Sequence, residues 1–244
     1  MNKAKNIAII FAGGTGQRMN SKSIPKQFLE LHGKPILAYT IEKFNAHNEI
    51  DKIILVTLSA WIGYCSDLIE KYRLDKVESI ISGGATAQES TMLGLKEADK
   101  IYGQDDVIVL IHDGVRPLID YDTISKDIES VKLHRSAITV TPAIETITVK
   151  GRGGKIGKII ERSKCEMARA PQCFYLKDIL SANIRAINED SRAFIDSASL
   201  MQYYGYDLYT VEGPVENIKI TTPSDFYIFR AIVDARENSQ IFGI

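Results

Sequence analysis

The chain has 244 residues, 45% hydrophobic and 25% charged, the ordinary balance of a globular protein. Thirty basic residues face 31 acidic ones, and a net charge of −1 gives no bulk electrostatic case for nucleic acid or an anionic membrane. The three cysteines, Cys65, Cys165 and Cys173, match no zinc spacing and suit the reduced thiols of a cytoplasmic protein.

The start, "MNKAKNIAIIFAGG", sets two lysines before an apolar run, as a secretory signal does. That run is shorter than the ~7–15 residues of a signal core or the ~20 of a membrane span, and no small-x-small cleavage site follows. "NIAIIFA" is therefore expected to be the first buried strand of a soluble protein. "KPILAYTIEKF" places Ile36, Leu37, Thr40, Ile41 and Phe44 at helical spacing, with Pro35 in the first turn. "DKIILVTL" is a β-branched run, followed by a helix from about Trp61 to Tyr72. "KVESII" ends at Gly83-Gly84, and Ser90 opens a helix through "TMLGLKEADKIY". "DVIVLIHDG" is the most hydrophobic strand, and leads to Pro117 and a helix around "TISKDIESVKLH". Strand, loop and helix in alternation predict an α/β fold, a mostly parallel sheet covered on both faces. The strand ends "AGG", "SGG" and "HDG" should then share one crevice, where such sheets bind ligands.

"ETITVKGRGGKIGKIIERS" breaks the alternation. It reads as a hairpin turning at "GRGG", with Thr146, Thr148 and Lys150 on one side and Lys158 and Arg162 on the other, an arm that is either solvated or inserted into a partner subunit. Helices near "LKDILSANIRAIN" and "ASLMQYYG", strands "DLYTV" and "NIKITT", and a helix from Pro223 to about Arg236 complete the pattern. Without repeats or linkers, residues 1–244 read as one domain with an arm at about 144–162.

In "AGGTGQRM" the glycines allow backbone N–H groups to form a nest for anionic oxygen. The spacing is neither G-x-G-x-x-G nor a P-loop. Arg18 follows at once and Lys26 comes eight residues later in "SIPKQF", a pair able to bracket a polyphosphate or to serve as ordinary surface cations. In "HDGVRP", Asp113 is suited to a hydrated magnesium ion or a ribose hydroxyl, with Arg116 as a ligand contact or as its structural partner. His112 is expected only to pack. "SGGATAQES" offers a second glycine pair for a base edge, with Ser90 behind it. Lys219, inside an apolar run, needs an anion to offset its desolvation. Thr221, Thr222, Pro223 and Asp225 read as a helix cap.

The ordered set "AGGTGQRM", "IPKQF", "SGG", "HDGVRP", "ERS", "APQ" and "EGPVENIKITTP" resembles the cytidylyltransferases that make CDP-alditols, along nearly the whole chain. That family includes the methylerythritol 4-phosphate enzymes of isoprenoid synthesis and the ribitol 5-phosphate enzymes of teichoic acid and capsule synthesis. The resemblance implies a Rossmann-like fold and a homodimer whose β-arm completes the neighbour's site. It implies CTP binding by Ala12, Gly13, Gly14, Thr15 and Gly16 with Gly83, Gly84, Ala85 and Ser90, with Arg18 and Lys26 stabilising the transition state. Thr146 and Arg162 would cross the dimer to the alditol phosphate, Lys219 and Arg116 would bind the same substrate, and Asp113 would stand between nucleotide and acceptor, meeting Mg2+ directly or through water. The acceptor phosphate, dianionic near neutral pH, needs no general base, so the lack of an obvious catalytic His or Cys is expected.

Ala170, Ile195 and Ala87 stand where many members have threonine, threonine and arginine. The missing hydroxyls favour ribitol 5-phosphate or a related polyol phosphate, while "ERS" and "DSASL" favour the alternative, methylerythritol phosphate. A sugar-1-phosphate nucleotidyltransferase on a similar fold is a less favoured alternative, and a non-catalytic nucleotide-binding subunit would be expected to lose Arg18 or Lys26, both of which are kept. A glycosyltransferase would need D-x-D, which "HDG" is not. A dehydrogenase would need the other glycine spacing.

Overall fold

In the computed structural model, which describes residues 4–14, 24–103, 106–189 and 194–242, the first apolar run is strand β1, Lys5–Ala12. Its alternate residues face opposite ways: Ala8 and Ile10 enter one buried cluster, Ile7 and Ile9 another. A strand buried on both faces needs helices on both sides, and the chain supplies them. A two-residue hairpin of β2 (Glu30–Leu31) and β3 (Lys34–Pro35) leads into α1 (Ile36–Ala46), so Pro35 stands just before the helix as its N-cap. Next come β4 (Lys52–Thr57), α2 (Ile62–Lys71), β5 (Val77–Ser82), α3 (Ala87–Tyr102), β6 (Val107–Asp113) and α4 (Tyr121–His134). The second half holds β7 (Ser136–Pro142), β8 (Ile147–Lys150), β9 (Ile156–Ile160), β10 (Glu166–Tyr175), α5 (Leu176–Asn188), α6 (Ser197–Tyr203), β11 (Thr210–Glu212) and α7 (Pro223–Phe242).

Seven strands form the main sheet in the order β11-β7-β10-β6-β1-β4-β5. Strands β6, β1, β4 and β5 are mutually parallel, and β11 is parallel to β7. Only β10 runs against its neighbours, β6 and β7. One face packs on α1, α2 and α4, and the other on α3, α5 and α6. A third cluster, with Val115, Leu118, Ile220 and Phe229, lies under α7. The alternation thus builds the expected mostly parallel α/β sheet. Among the described residues no helix is long and apolar enough to cross a membrane.

Two strands escape the pattern. Strand β7 follows α4 without a glycine, because Arg135 itself takes the left-handed turn at φ 69°. Strand β10 contains Pro171 after a cis peptide bond, and its register against β7 shifts between Ala168 and Gln172. Conversely, "NIKITT" is not a strand. Its segment is held by isolated bonds, Asn217 Nδ2 to the Ala170 carbonyl at 2.8 Å and Ile220 N–H to the Val115 carbonyl at 2.9 Å, so no ladder runs along it. Ser90 lies inside α3 rather than at its start, and the last helix runs beyond Arg236 to Phe242. Asp225 caps that helix as expected, accepting from the N–H groups of Thr221 and Thr222 at 2.8 and 2.7 Å.

The arm is the separate pair β8-β9, with Thr148 opposite Ile159 and Val149 opposite Lys158. Val149, Ile156 and Ile159 are all exposed on it. The three cysteines are free thiols.

One buried acid lies away from these features. Asp127 of α4 is fully buried and its Oδ2 accepts from the Thr139 hydroxyl at 2.9 Å. Burial pushes its carboxyl well above the usual range. The folded state therefore binds a proton that the unfolded chain releases above about pH 3.9, and stability falls as pH rises from there towards the folded value. Asp127→Asn is expected to remove that decline. Thermal midpoints of the two proteins should diverge in the variant's favour between pH 5 and pH 8, as checked by calorimetry.

Candidate active site

The carboxyl ends of β1 and β6, the start of α3 and the first half of β10 enclose a cavity of about 560 Å³. Gly13 and Gly14 line it just after β1. A Cβ built on Gly13 would meet no described atom within 4 Å, and one on Gly14 would meet only Lys26 Cε, at 3.7 Å. Among the described residues, nothing else crowds the turn. Ala12 is buried behind it. Thr15, Gly16 and Arg18 lie outside the described residues, so their expected roles are not located.

Lys26 reaches the cavity because "PKQF" is anchored on both sides of it. Residues Lys26–Phe28 form one 3-10 turn. The buried Gln27 amide donates to the Ala12 carbonyl, tying the turn to the end of β1. Phe28 stacks on Trp61 with ring centroids 4.5 Å apart. Between these two fastenings Lys26 is only 9% exposed.

The second glycine loop is shaped by a capping box at the start of α3. The Thr86 hydroxyl accepts from Glu89 N–H at 3.1 Å, and Glu89 Oε2 accepts from Ala85 and Thr86 N–H at 2.7 and 3.2 Å. Ser90 Oγ accepts from Gly84 N–H at 3.1 Å, and Gly83 N–H donates to the Thr57 carbonyl at 2.8 Å. All four N–H groups from Gly83 to Thr86 are therefore used within the chain. Gly84 and Ala85 line the cavity with those N–H groups already satisfied. Gly83 itself stands behind that lining.

At the end of β6, Asp113 joins two cations. Its Oδ2 accepts from Arg116 Nε at 2.8 Å and its Oδ1 from Lys219 Nζ at 2.6 Å. Burial alone would raise the Asp113 pKa, but the charges and hydrogen bonds of Lys219 and Arg116 prevail and hold it well below the usual carboxylate range. Arg116 is buried and also donates to the Asn217 carbonyl at 2.9 Å. Gly114 makes the bend possible, since a Cβ there would lie 2.9 Å from the Phe11 carbonyl oxygen. His112 packs as expected: it is buried against Phe44, Nε2 meets the Arg116 carbonyl at 3.1 Å, and burial pushes its pKa down to about 4.

Thr146 and Arg162 do not line this cavity in their own chain. Arg162 borders a separate open hollow of about 750 Å³ at the root of the arm, where its Nη1 donates to the Ile144 carbonyl at 2.9 Å.

The far wall holds residues that motif reading did not single out as site residues. Gln172 is a strut: its amide donates to Asp196 Oδ2 at 2.9 Å and accepts from Ala198 N–H at 2.9 Å. Asp196 caps α6 through Ser199 N–H at 2.8 Å, a D-x-x-S signal that the sequence does carry. Ile195, beside them, is 95% exposed at the cavity. Arg169 also lines this wall, and only knowledge of β10 would have placed it there.

A nucleotide-sized cavity at the strand ends of a doubly covered α/β sheet, carrying a glycine turn, a buried lysine and a carboxylate between two cations, defines a class. The chain belongs to the family described as IspD, 2-C-methyl-D-erythritol 4-phosphate cytidylyltransferase, whose profile matches residues 6–235. Among particular relatives, it is 49% identical to a ribitol-5-phosphate cytidylyltransferase of Streptococcus agalactiae, over 98% of this chain and 99% of that one. It is 39% identical to a 2-C-methyl-D-erythritol 4-phosphate cytidylyltransferase of Clostridium botulinum, over 95% and 98%. The crystal structure of the 4-diphosphocytidyl-2C-methyl-D-erythritol synthase of Anaerococcus prevotii superposes with a TM-score of 0.82 at 27% identity, covering 95% of this chain and 96% of the other.

Proposed function

We propose that the protein transfers the cytidylyl group of CTP to an alditol phosphate, ribitol 5-phosphate or a close relative, and releases pyrophosphate. The observation that carries this reading is the convergence on one cavity of the Gly13-Gly14 turn, Lys26 and the Asp113–Lys219–Arg116 cluster. An acceptor phosphate oxygen attacks the α-phosphorus of CTP, a new P–O bond forms, and the bond to the β,γ-pyrophosphate breaks. The attacking group is already an anion, so the protein has only to align two phosphates and neutralise charge. The glycine turn with Lys26 and Arg18 holds the triphosphate. Gly84 and Ala85 line the same cavity and meet the nucleotide there.

Mg2+ fits as an ion carried in by the triphosphate. Both Asp113 oxygens already accept from cations, yet each keeps a spare lone pair, which suits a water-mediated contact better than direct ligation. When bound, the ion supplies charge neutralisation on the phosphates. Asp113 holds Lys219 and Arg116 at the boundary between nucleotide and acceptor. Thr146 and Arg162, remote from their own cavity, serve that of a second copy, and the exposed Val149, Ile156 and Ile159 supply apolar surface for the pairing. The setting is the cytoplasm, and the product feeds a cell-surface polymer.

The methylerythritol phosphate reaction is the second reading, favoured by the family profile's own description. Ribitol 5-phosphate ranks first because of the 49% relative and because Ala170 and Ile195 offer no hydroxyl to the acceptor. Pyrophosphate release from CTP with ribitol, glycerol and methylerythritol phosphates decides between them. Ribitol 5-phosphate is expected to give the highest kcat/KM, and a preference for methylerythritol phosphate reverses the ranking.

A further inference from the structure

Among the described residues, Arg169 is a cation in the cavity wall without a paired anion. It stands on β10 at the register shift between Ala168 and Gln172 and lines the cavity together with Arg116 and Lys219. It is half-buried, and its Nε donates to the Thr141 hydroxyl at 3.3 Å. Among the described residues no carboxylate pairs with its guanidinium, so both terminal nitrogens of the fork lack a protein acceptor. Burial, and then the positive charge of Arg116, lower its pKa from the ordinary arginine value.

The surroundings make this costly arrangement specific. Arg116 and Lys219 are both committed to Asp113, whose two oxygens they occupy. Asn217 links Arg116 to the backbone beside Arg169, accepting from Arg116 Nη1 at 2.9 Å and donating to the Ala170 carbonyl at 2.8 Å. A partly desolvated guanidinium next to a second one is unfavourable until an anion arrives. The triphosphate grip, at Gly13, Gly14 and Lys26, belongs to the β1 side of the cavity. Arg169 belongs to the β10 side, on the wall it shares with Arg116 and Lys219. The anion it meets is therefore the second substrate.

We propose that Arg169 grips the phosphate of the acceptor through its planar fork and so selects phosphorylated over free polyols. This rests on the cytidylyltransferase reading above.

The test compares wild type, Arg169→Met and Arg169→Lys with CTP and ribitol 5-phosphate. Arg169→Met is expected to raise the acceptor KM about 10- to 100-fold, the range for one hydrogen bond to a charged group. The KM for CTP should stay within about twofold, with the thermal midpoint unmoved, and Arg169→Lys should recover part of the loss. An unchanged acceptor KM, or a parallel rise in both constants, overturns the assignment. Calorimetric titration of both proteins with inorganic phosphate decides the residue's role separately from turnover. Weaker phosphate binding by Arg169→Met supports the grip, and equal binding overturns it. If wild type turns over no alditol phosphate, the functional reading fails while the phosphate titration still judges Arg169.

Discussion

Lys26→Ala is expected to lower kcat/KM for CTP by about 10²–10³, a loss of about 3–4 kcal/mol of transition-state stabilisation. The size follows from burial. A lysine only 9% exposed acts in a medium that screens its charge poorly, and its Cε lies within 4 Å of a Cβ position on Gly14. The fold should survive, since Gln27 and Phe28 fasten the turn from either side. Pyrophosphate release measured beside circular dichroism gives the answer. Full turnover in a folded variant would remove Lys26 from the mechanism, and with it the claim that this cavity grips a triphosphate.

Asp113→Ala should cost both stability and rate. The substitution leaves the buried Arg116 guanidinium without its carboxylate, for which about 3 kcal/mol is the expected penalty. For a chain of this size that corresponds to a fall in Tm of about 6–12 °C. Lys219 adds little to the figure, because its side chain is 41% exposed and solvent screens the pair. The pH dependence has a definite sign. A carboxyl held below its unfolded value contributes stability above about pH 4 and loses it as pH falls further. The gap between wild type and variant should therefore be full at pH 7 and shrink below pH 4, as checked by thermal melts across that range. A constant gap down to pH 2 would mean that the loss comes from packing rather than from the charge. Turnover should fall as well, since Lys219 and Arg116 lose the group that holds them in place.

The parallel half of the sheet was readable because its four strands are short, largely apolar runs, three of them closed by glycine, and each helix shows apolar residues at helical spacing. "AGG", "SGG" and "HDG" do meet at one crevice, as strand ends must in this topology. The second half was less legible. Arg135 replaces the usual glycine at a helix end, which hides the start of β7, and Pro171 interrupts the alternation of β10. Lys219 drew attention for the right physical reason, a need for an anion, but its anion is Asp113 and its segment is not a strand. The second glycine loop was expected to offer backbone to a base. Only the geometry shows that its N–H groups are already spent on Glu89, Ser90 and Thr57. Arg169 carried no local signal at all, since a lone arginine between two alanines gains meaning only from the wall it joins.

The reversed direction of β10 decides which part of it faces the cavity. Its neighbour β6 delivers its last residues to the crevice, whereas β10 delivers its first half, upstream of the helix it leads into. Under the proposed reaction, substitutions at Arg169, Ala170 or Ile195 would act on the β10 side of the cavity rather than on the Gly13-Gly14 turn and Lys26.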